Sequence, residues 1–386
     1  MRRNHHGGED RSGRIRYDFS VNINPLGMPE AAKTALLSGW DIFENYPDDS
    51  CEALREALGA RYGIGSDRIV CGNGASDLIY RLCLSAGFHR VLLPEPAFSE
   101  YERALRAAGC EAVPLFTEED SGFVLEEKHV SQISESFDAL FLCNPSNPAG
   151  GLMEKPLIER IVRQCDEMGV LLVADECFLD FVRGGEEHSA VWAAAEGKNV
   201  VVIKAFTKIF AMAGLRLGFA LFGDEGLAKE TAQFGAPWQV SGPAQAAGLA
   251  VLGAAEYSAF IEAAAAYVEA ERHVLEEGLK GFGFSVVKGF ANFILFRAPN
   301  DLDKLLEREG FSIRNCSDYR FRAPAGEDEA SENRDVSAQS DAAAGCSGGE
   351  RTAPADKNMT YYRIAVRKGF ENQLLLAAVG RCVRWL

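Results

Sequence analysis

Residues 200–219 read VVVIKAFTKIFAMAGLRLGF. The opening VVVIKA is apolar on nearly every residue and too short for a helix, the pattern of a strand covered on both faces. It runs straight into Thr207-Lys208, and eight residues further on come Arg216 and then Gly218. A lysine just after a strand is usually a solvated surface residue. Here the flanking residues are apolar, and an amine at the edge of an apolar environment loses affinity for its proton and becomes a nucleophile toward an aldehyde. Arg216 offers a planar fork suited to a phosphate.

Outward from this stretch, short apolar runs alternate with helical patterns. Candidate strands are 91–93, 139–143, 170–174, 200–205 and 217–222, with helical stretches at 51–62, 75–86 and 156–168. That order predicts an α/β sheet of largely parallel strands. The last third changes character. An Ala/Glu-rich helical stretch, 243–280 with breaks, precedes short strands at 284–287 and 292–296 and a helix at 302–308. Strands at 311–314 and 361–366 and a closing helix complete a small α+β domain. We divide the chain into an N-terminal segment 1–44 that joins the small domain, a large domain 45–270 and a small domain 271–386. Within the last, 323–357 has Val336 as its one large aliphatic residue. Such a segment buries too little apolar surface to offset its ordering entropy, and is expected to be a mobile insertion.

Three further stretches carry chemistry. Residues 170–176, VLLVADE, place Asp175 at the C-terminal end of a buried strand, where ligands of α/β sheets bind. A turn acid would look the same in isolation; opposite a pyridinium nitrogen the carboxylate would keep that nitrogen protonated. Residues 143–150, CNPSNPAG, again follow a strand, and two Asn-Pro steps make a rigid turn from which Asn147 can reach a ligand. Residues 71–77, CGNGASD, put two glycines before a helix start. The run lacks the last glycine of a dinucleotide fingerprint, yet its backbone N–H groups can cradle an anion. A lysine, a carboxylate and a phosphate anchor together are what pyridoxal phosphate requires.

Composition narrows the alternatives. The 386 residues are 47% hydrophobic, enough for a sizeable core, and carry a net charge of -16, which disfavours nucleic acid or an anionic membrane as a partner. The N-terminus, MRRNHHGGEDRSGRIRYDF, has no apolar core of a secretory signal. Ten cysteines are scattered from Cys51 to Cys382 without a C-x-x-C pair, so we expect reduced, mostly buried thiols, a cytoplasmic location and no metal site.

In the order GNGAS, NPSNPAG, DE, TK and R, the motifs resemble the histidinol-phosphate aminotransferase-like branch of fold-type-I pyridoxal-phosphate enzymes. The resemblance covers nearly the whole chain outside 323–357. It implies that Lys208 bonds the cofactor and that Asp175 faces its ring nitrogen. Asn147 would meet its phenolic oxygen, and Ala75, Ser76, Thr207 and Arg216 its phosphate. Phe98 in LLPEPAFSEYERAL would stack on the ring. Tyr46 in NYPD would reach the cofactor phosphate of a neighbouring subunit, which implies a homodimer with shared active sites. Two positions depart from the pattern: Ala205 stands where relatives often have Ser or Thr, and Phe178 where aminotransferases commonly have Tyr.

The ends of the chain discriminate further. His6-Gly7-Gly8, DFSVNINPLGMPE (18–30), IRNCSDY (313–319) and YYRIAVR (361–367) look like the threonine-phosphate decarboxylases of the cobalamin pathway. That likeness implies a phosphorylated amino-acid substrate. Its phosphate would be held by His6, with Gly7 beside it, and Arg314, and its carboxylate by Arg363 and Asn147. A histidinol-phosphate-type aminotransferase would use the same residues on another substrate. A noncatalytic small-molecule-binding protein is the alternative of a different class.

Overall fold

The computed structural model describes residues 7–8, 13–321 and 358–385; His6 and the expected insertion 323–357 lie outside the described residues. The strands, in chain order, are β1 (Tyr17–Asp18), β2 (Ile69–Gly72), β3 (Arg90–Glu95), β4 (Glu111–Phe116), β5 (Ala139–Cys143), β6 (Leu171–Asp175), β7 (Val200–Ala205), β8 (Gly218–Phe222), β9 (Ser285–Val286), β10 (Phe293–Pro299), β11 (Phe311–Ser312), β12 (Arg314–Asn315) and β13 (Met359–Ala365).

Seven of them form the main sheet in the order β2-β8-β7-β6-β5-β3-β4. β3 to β7 run parallel, while β8 is antiparallel to both of its neighbours. The reversal follows from a short connection. Only residues 206–217 join β7 to β8, and the sole helix among them, Phe206–Ile209, is a single turn. At a dozen residues, with one helical turn, this connection has no room for the full helix that usually carries a parallel return. The Phe206 N–H instead donates to the Leu217 carbonyl at 3.0 Å and closes a wide hairpin. Lys208 and Arg216 ride on this loop, at the C-terminal edge of the sheet.

β6, β7 and β8 are buried at every position, as their almost wholly apolar runs require. Helices cover the sheet. Lys155–Met168 turns Ile158, Ile161, Val162 and Cys165 inward at helical spacing, and Gly169, with φ 67°, ends it. Each such aliphatic side chain contributes about 1.5–3 kcal/mol of burial. Two strands of this sheet, β2 and β4, are absent from the sequence reading. β2 is four residues ending in glycine. β4 is a sheet-edge strand carrying Pro114, mostly solvent-facing, so it shows neither an apolar run nor clean alternation.

The second sheet is antiparallel, in the order β12-β13-β10-β9. β1 pairs in parallel with β11, which ties the N-terminal segment to this part of the chain. One continuous helix, Tyr257–Gly281, runs through the boundary expected at residue 270. Among the described residues no single helix is long and apolar enough to cross a membrane, and the consecutive helices Gly242–Leu252 and Tyr257–Gly281 meet at 91°.

Candidate active site

The parallel strands deliver their C-terminal ends to one edge of the sheet. β6 ends on Asp175, β7 leads to Thr207 and Lys208, and β5 leads to the Asn144–Asn147 turn. β2 leads through Gly72-Asn73-Gly74 into the helix Ala75–Ser85, whose first two residues are Ala75 and Ser76. β3 leads to Phe98, immediately before the helix Ser99–Ala107.

Asp175 is buried and has both carboxylate oxygens engaged. The Tyr101 hydroxyl donates to Oδ2 at 2.7 Å and the Cys177 N–H to Oδ1 at 3.0 Å. Burial, and then the Asp175 charge, hold the Tyr101 hydroxyl far above the usual phenol range, so it stays a donor. Tyr101 is a residue that the sequence reading missed. The signal was present: it follows Phe98 by three residues, the spacing that sets two side chains on one helix face, and the two rings meet edge to face with centroids 5.5 Å apart.

Lys208 is crowded by protein atoms. Its amine pKa is lowered to about 8, first by burial and next by the Arg363 cation, with Arg216 adding to the same direction against Cys177 and Asp175. At neutral pH a useful fraction of the amine is therefore uncharged and nucleophilic. The turn that carries it is clipped from outside the sheet. The Asn24 N–H donates to the Lys208 carbonyl at 3.2 Å, and the Asn24 amide to the Ile209 carbonyl at 2.6 Å. This gives a structural meaning to NINP, a motif the sequence displayed without revealing its partner.

Arg216 has φ 61°, an uncommon conformation for a residue with a side chain. Its guanidinium donates to the carbonyls of Asn73 and Ala213 at 3.3 and 3.4 Å. A Cβ on Gly74 would collide with that guanidinium, so glycine is what lets the cation lie against the start of the Ala75–Ser85 helix. There the helix presents free N–H groups to an anion. This cradle fits a phosphate, Lys208 fits an aldehyde, and Asp175 fits a ring N–H; together the donor set suits pyridoxal phosphate. Ala205 is buried as a bare methyl beside the loop. Phe178 stands 5.9 Å from the Lys208 Nζ and packs edge to face on Phe293.

The second half of the site comes from the small unit. Arg363 is 7% exposed. It donates to Asn147 Oδ1 at 2.6 Å and to the Ser20 carbonyl at 3.1 Å, and its Nε is a buried donor with no partner among the described residues. Arg314 is the direct register partner of Arg363 across β12 and β13. It pairs with Asp318 at 2.6 Å. Gly8 N–H donates to the Ser20 hydroxyl at 3.0 Å, and a Cβ on Gly7 would collide with the Ser20 carbonyl, so the Gly7-Gly8 pair docks beside the residue that holds Arg363. The structure thus brings together Lys208, Asp175, Asn147, Thr207, Arg216, Ala75, Ser76, Phe98, Arg363, Arg314 and Gly7. Tyr46 is 79% exposed and stacked on Trp238 with centroids 4.3 Å apart.

The family profile described as aminotransferase class I and II matches residues 15–332. A threonine-phosphate decarboxylase of Salmonella typhimurium is 30% identical over 373 residues, covering 94% of this chain and 90% of that one. A histidinol-phosphate aminotransferase of Mesorhizobium japonicum is 31% identical over 300 residues, 76% of this chain and 80% of its own. Among solved structures, the histidinol-phosphate aminotransferase of Clostridium acetobutylicum superposes with a TM-score of 0.79 at 25% identity, over 96% of this chain and all of that one. The chain therefore belongs to the class I and II aminotransferases, a family of pyridoxal-phosphate-dependent enzymes on the type I fold.

Proposed function

We propose that the protein decarboxylates L-threonine O-3-phosphate to aminopropanol phosphate, a precursor of the cobalamin nucleotide loop. One observation carries the reading. Arg363 is a buried cation whose hydrogen bonds go to two neutral oxygens, with a third donor unmet, and Arg314 lies directly opposite it on the next strand. Like charges facing each other across a sheet are unfavourable by themselves. Asp318 already pairs with Arg314, so the larger unmet demand is at Arg363. A small substrate with a carboxylate for Arg363 and a second anionic group a few bonds away for Arg314 fits the pair, and O-phosphothreonine has that shape. Histidinol phosphate offers a single anionic group. The likeness to the Salmonella decarboxylase along nearly the full chain supports the same choice.

In this reading Arg216, Thr207 and the Ala75-Ser76 helix start hold the cofactor phosphate. Phe98 would lie against the ring, and Asp175, itself held by Tyr101, would keep the ring nitrogen protonated. The cofactor supplies an electron sink for the pair released when the bond from Cα to the carboxylate breaks. Arg363 and Asn147 fix the substrate carboxylate, while Arg314, Gly7 and His6 hold the substrate phosphate. With the cofactor bound, the Lys208 Nζ would be the group that holds a proton near the substrate Cα and returns it there after carbon dioxide leaves. The competing aminotransferase reaction would instead have Lys208 remove the Cα proton. The protein works as a homodimer in which Tyr46 serves the partner's site. Support comes from exposed aromatic side chains, the Trp40–Phe43 and Tyr46–Trp238 ring pairs and Phe234, since exposed apolar clusters mark protein contacts.

Offering O-phosphothreonine and histidinol phosphate separately, the latter with 2-oxoglutarate, and identifying the products tests the proposal. Carbon dioxide and aminopropanol phosphate are expected from the first. Rapid transamination of histidinol phosphate, with no carbon dioxide from O-phosphothreonine, would replace this reading with the aminotransferase.

A further inference from the structure

Glu95 lies at the C-terminal end of β3 and is 4% exposed. Its Oε2 accepts the Ala97 N–H at 2.8 Å, and its Oε1 meets the Arg320 Nε at 3.2 Å. The Arg320 Nη2 reaches the Glu102 Oε2 on the helix Ser99–Ala107 at 2.7 Å. One guanidinium from the small unit thus bridges two carboxylates of the large domain, on either side of Phe98. The two contacts are unequal. Glu102 is half-buried and Arg320 is exposed, so their pair is screened by water. Glu95 is sealed, and burial pushes its carboxyl up to about 7 against the pull of Arg320. Removing the cation would push this carboxyl higher still, so that it takes up a proton and the tie to the segment carrying Arg320 is lost outright, whereas the Glu102 pair is merely screened.

Arg320 is six residues beyond Arg314 on the same stretch. Between them the chain is tightly tied: Arg314 to Asp318, Cys316 N–H to the Tyr361 carbonyl at 2.9 Å, and Tyr319 N–H to the Cys316 carbonyl at 3.1 Å. Beyond Arg320, Phe321 stacks on Tyr361 at 4.1 Å and packs edge to face on Phe123, while the Tyr361 hydroxyl donates to Glu119 at 2.5 Å. The segment 314–321 is therefore a strap whose near end is the β12 edge strand and whose far end is fastened to the large domain.

We propose that Glu95 is a positioning residue for substrate recognition: by holding Arg320 it fastens this strap across the Phe98 side of the site and so fixes Arg314 where the substrate phosphate binds. The inference rests on the reading of Arg314 given above. It assigns to a carboxylate that touches no substrate a selective effect on the phosphorylated one.

The test compares Glu95→Gln, which keeps the shape and the bond from Ala97, and Arg320→Gln with the unaltered holoenzyme. Two readouts are needed. Hydrogen–deuterium exchange of peptides spanning 312–321 should speed up in both variants, whatever the reaction. The KM for O-phosphothreonine should rise roughly tenfold with kcat within about twofold, while decarboxylation of unphosphorylated threonine is unchanged; Arg320→Lys should restore most of the loss. Unchanged exchange in both variants overturns the strap. Faster exchange with an unaltered KM, or with threonine and O-phosphothreonine weakened equally, overturns the link to phosphate recognition. If the unaltered enzyme releases no carbon dioxide from O-phosphothreonine, the functional reading has failed instead, and the exchange result still stands or falls alone.

Discussion

The proposed cofactor half of the site and the proposed substrate half are built in different ways. The cofactor half is local: Lys208 and Arg216 sit eight residues apart on one hairpin loop, and Asp175 ends a neighbouring strand. Its geometry is fixed by a sheet buried on both faces. The substrate half is assembled from afar: Arg363 on β13 reaches Ser20 and Asn147, and Arg314 joins it only through strand register. A site of the first kind has one outside tie, the Asn24 clip on the Lys208 turn. A site of the second kind exists only while three distant chain segments stay together, and so it is where substrate choice can be tuned without disturbing the cofactor.

Substitutions should separate the halves, with the largest effect on the cofactor side. Lys208→Ala should lower turnover by roughly 100- to 10,000-fold through lost proton transfer alone. Borohydride, which should fix a phosphopyridoxyl group on Lys208 of the unaltered protein, should then leave none at that position by mass spectrometry. The same lysine predicts a pH dependence. The uncharged amine attacks the aldehyde, so the rate at which cofactor-free protein takes up pyridoxal phosphate should rise with pH and level off above about 8. An ordinary lysine would keep rising to roughly 10.4; a plateau there would contradict the buried environment.

Arg363→Ala comes next. Losing a charge-assisted bond costs roughly 1.5–3 kcal/mol, or about 10- to 150-fold in turnover, while cofactor absorbance and occupancy should be kept. Loss of the cofactor in this variant would show that the two halves are not separable. The smallest effect belongs to Tyr101→Phe. It removes one of the donors to the Asp175 carboxylate, worth about 1.5 kcal/mol at the low end for a charged partner, so kcat should fall by about 10-fold with the KM for substrate little changed. A shift in KM without a shift in kcat would place Tyr101 outside the support of Asp175.

The same contrast explains what could be read from the sequence. The strands at 139–143, 170–174, 200–205 and 217–222 stand out as almost wholly apolar runs because they are covered on both faces, and the expected cofactor residues Asn147, Asp175, Thr207, Lys208 and Arg216 follow the first three or precede the fourth. The edge strand Glu111–Phe116 and the brief Ile69–Gly72 leave no such trace. The antiparallel course of β8 is a matter of loop length and closure, invisible in hydropathy. Long-range ties were hardest to see. DFSVNINPLG is visible as a motif, but that Ser20 holds Arg363 and Asn24 clips the Lys208 turn depends on contacts across hundreds of residues. Tyr101 looks like any helix aromatic until its partner Asp175 is known. The same is true of Glu95 and Arg320, an acid and a base more than two hundred positions apart.

The most direct measurement of reaction choice uses O-phosphothreonine labelled in its carboxyl carbon, given to the holoenzyme in deuterated water without any keto acid. The account predicts that the label appears in carbon dioxide. Aminopropanol phosphate should form catalytically, with one deuterium on the carbon that had borne the carboxylate, placed there by Lys208. Retention of the label in a phosphorylated keto acid, formed once per active site and then stopping, would contradict it.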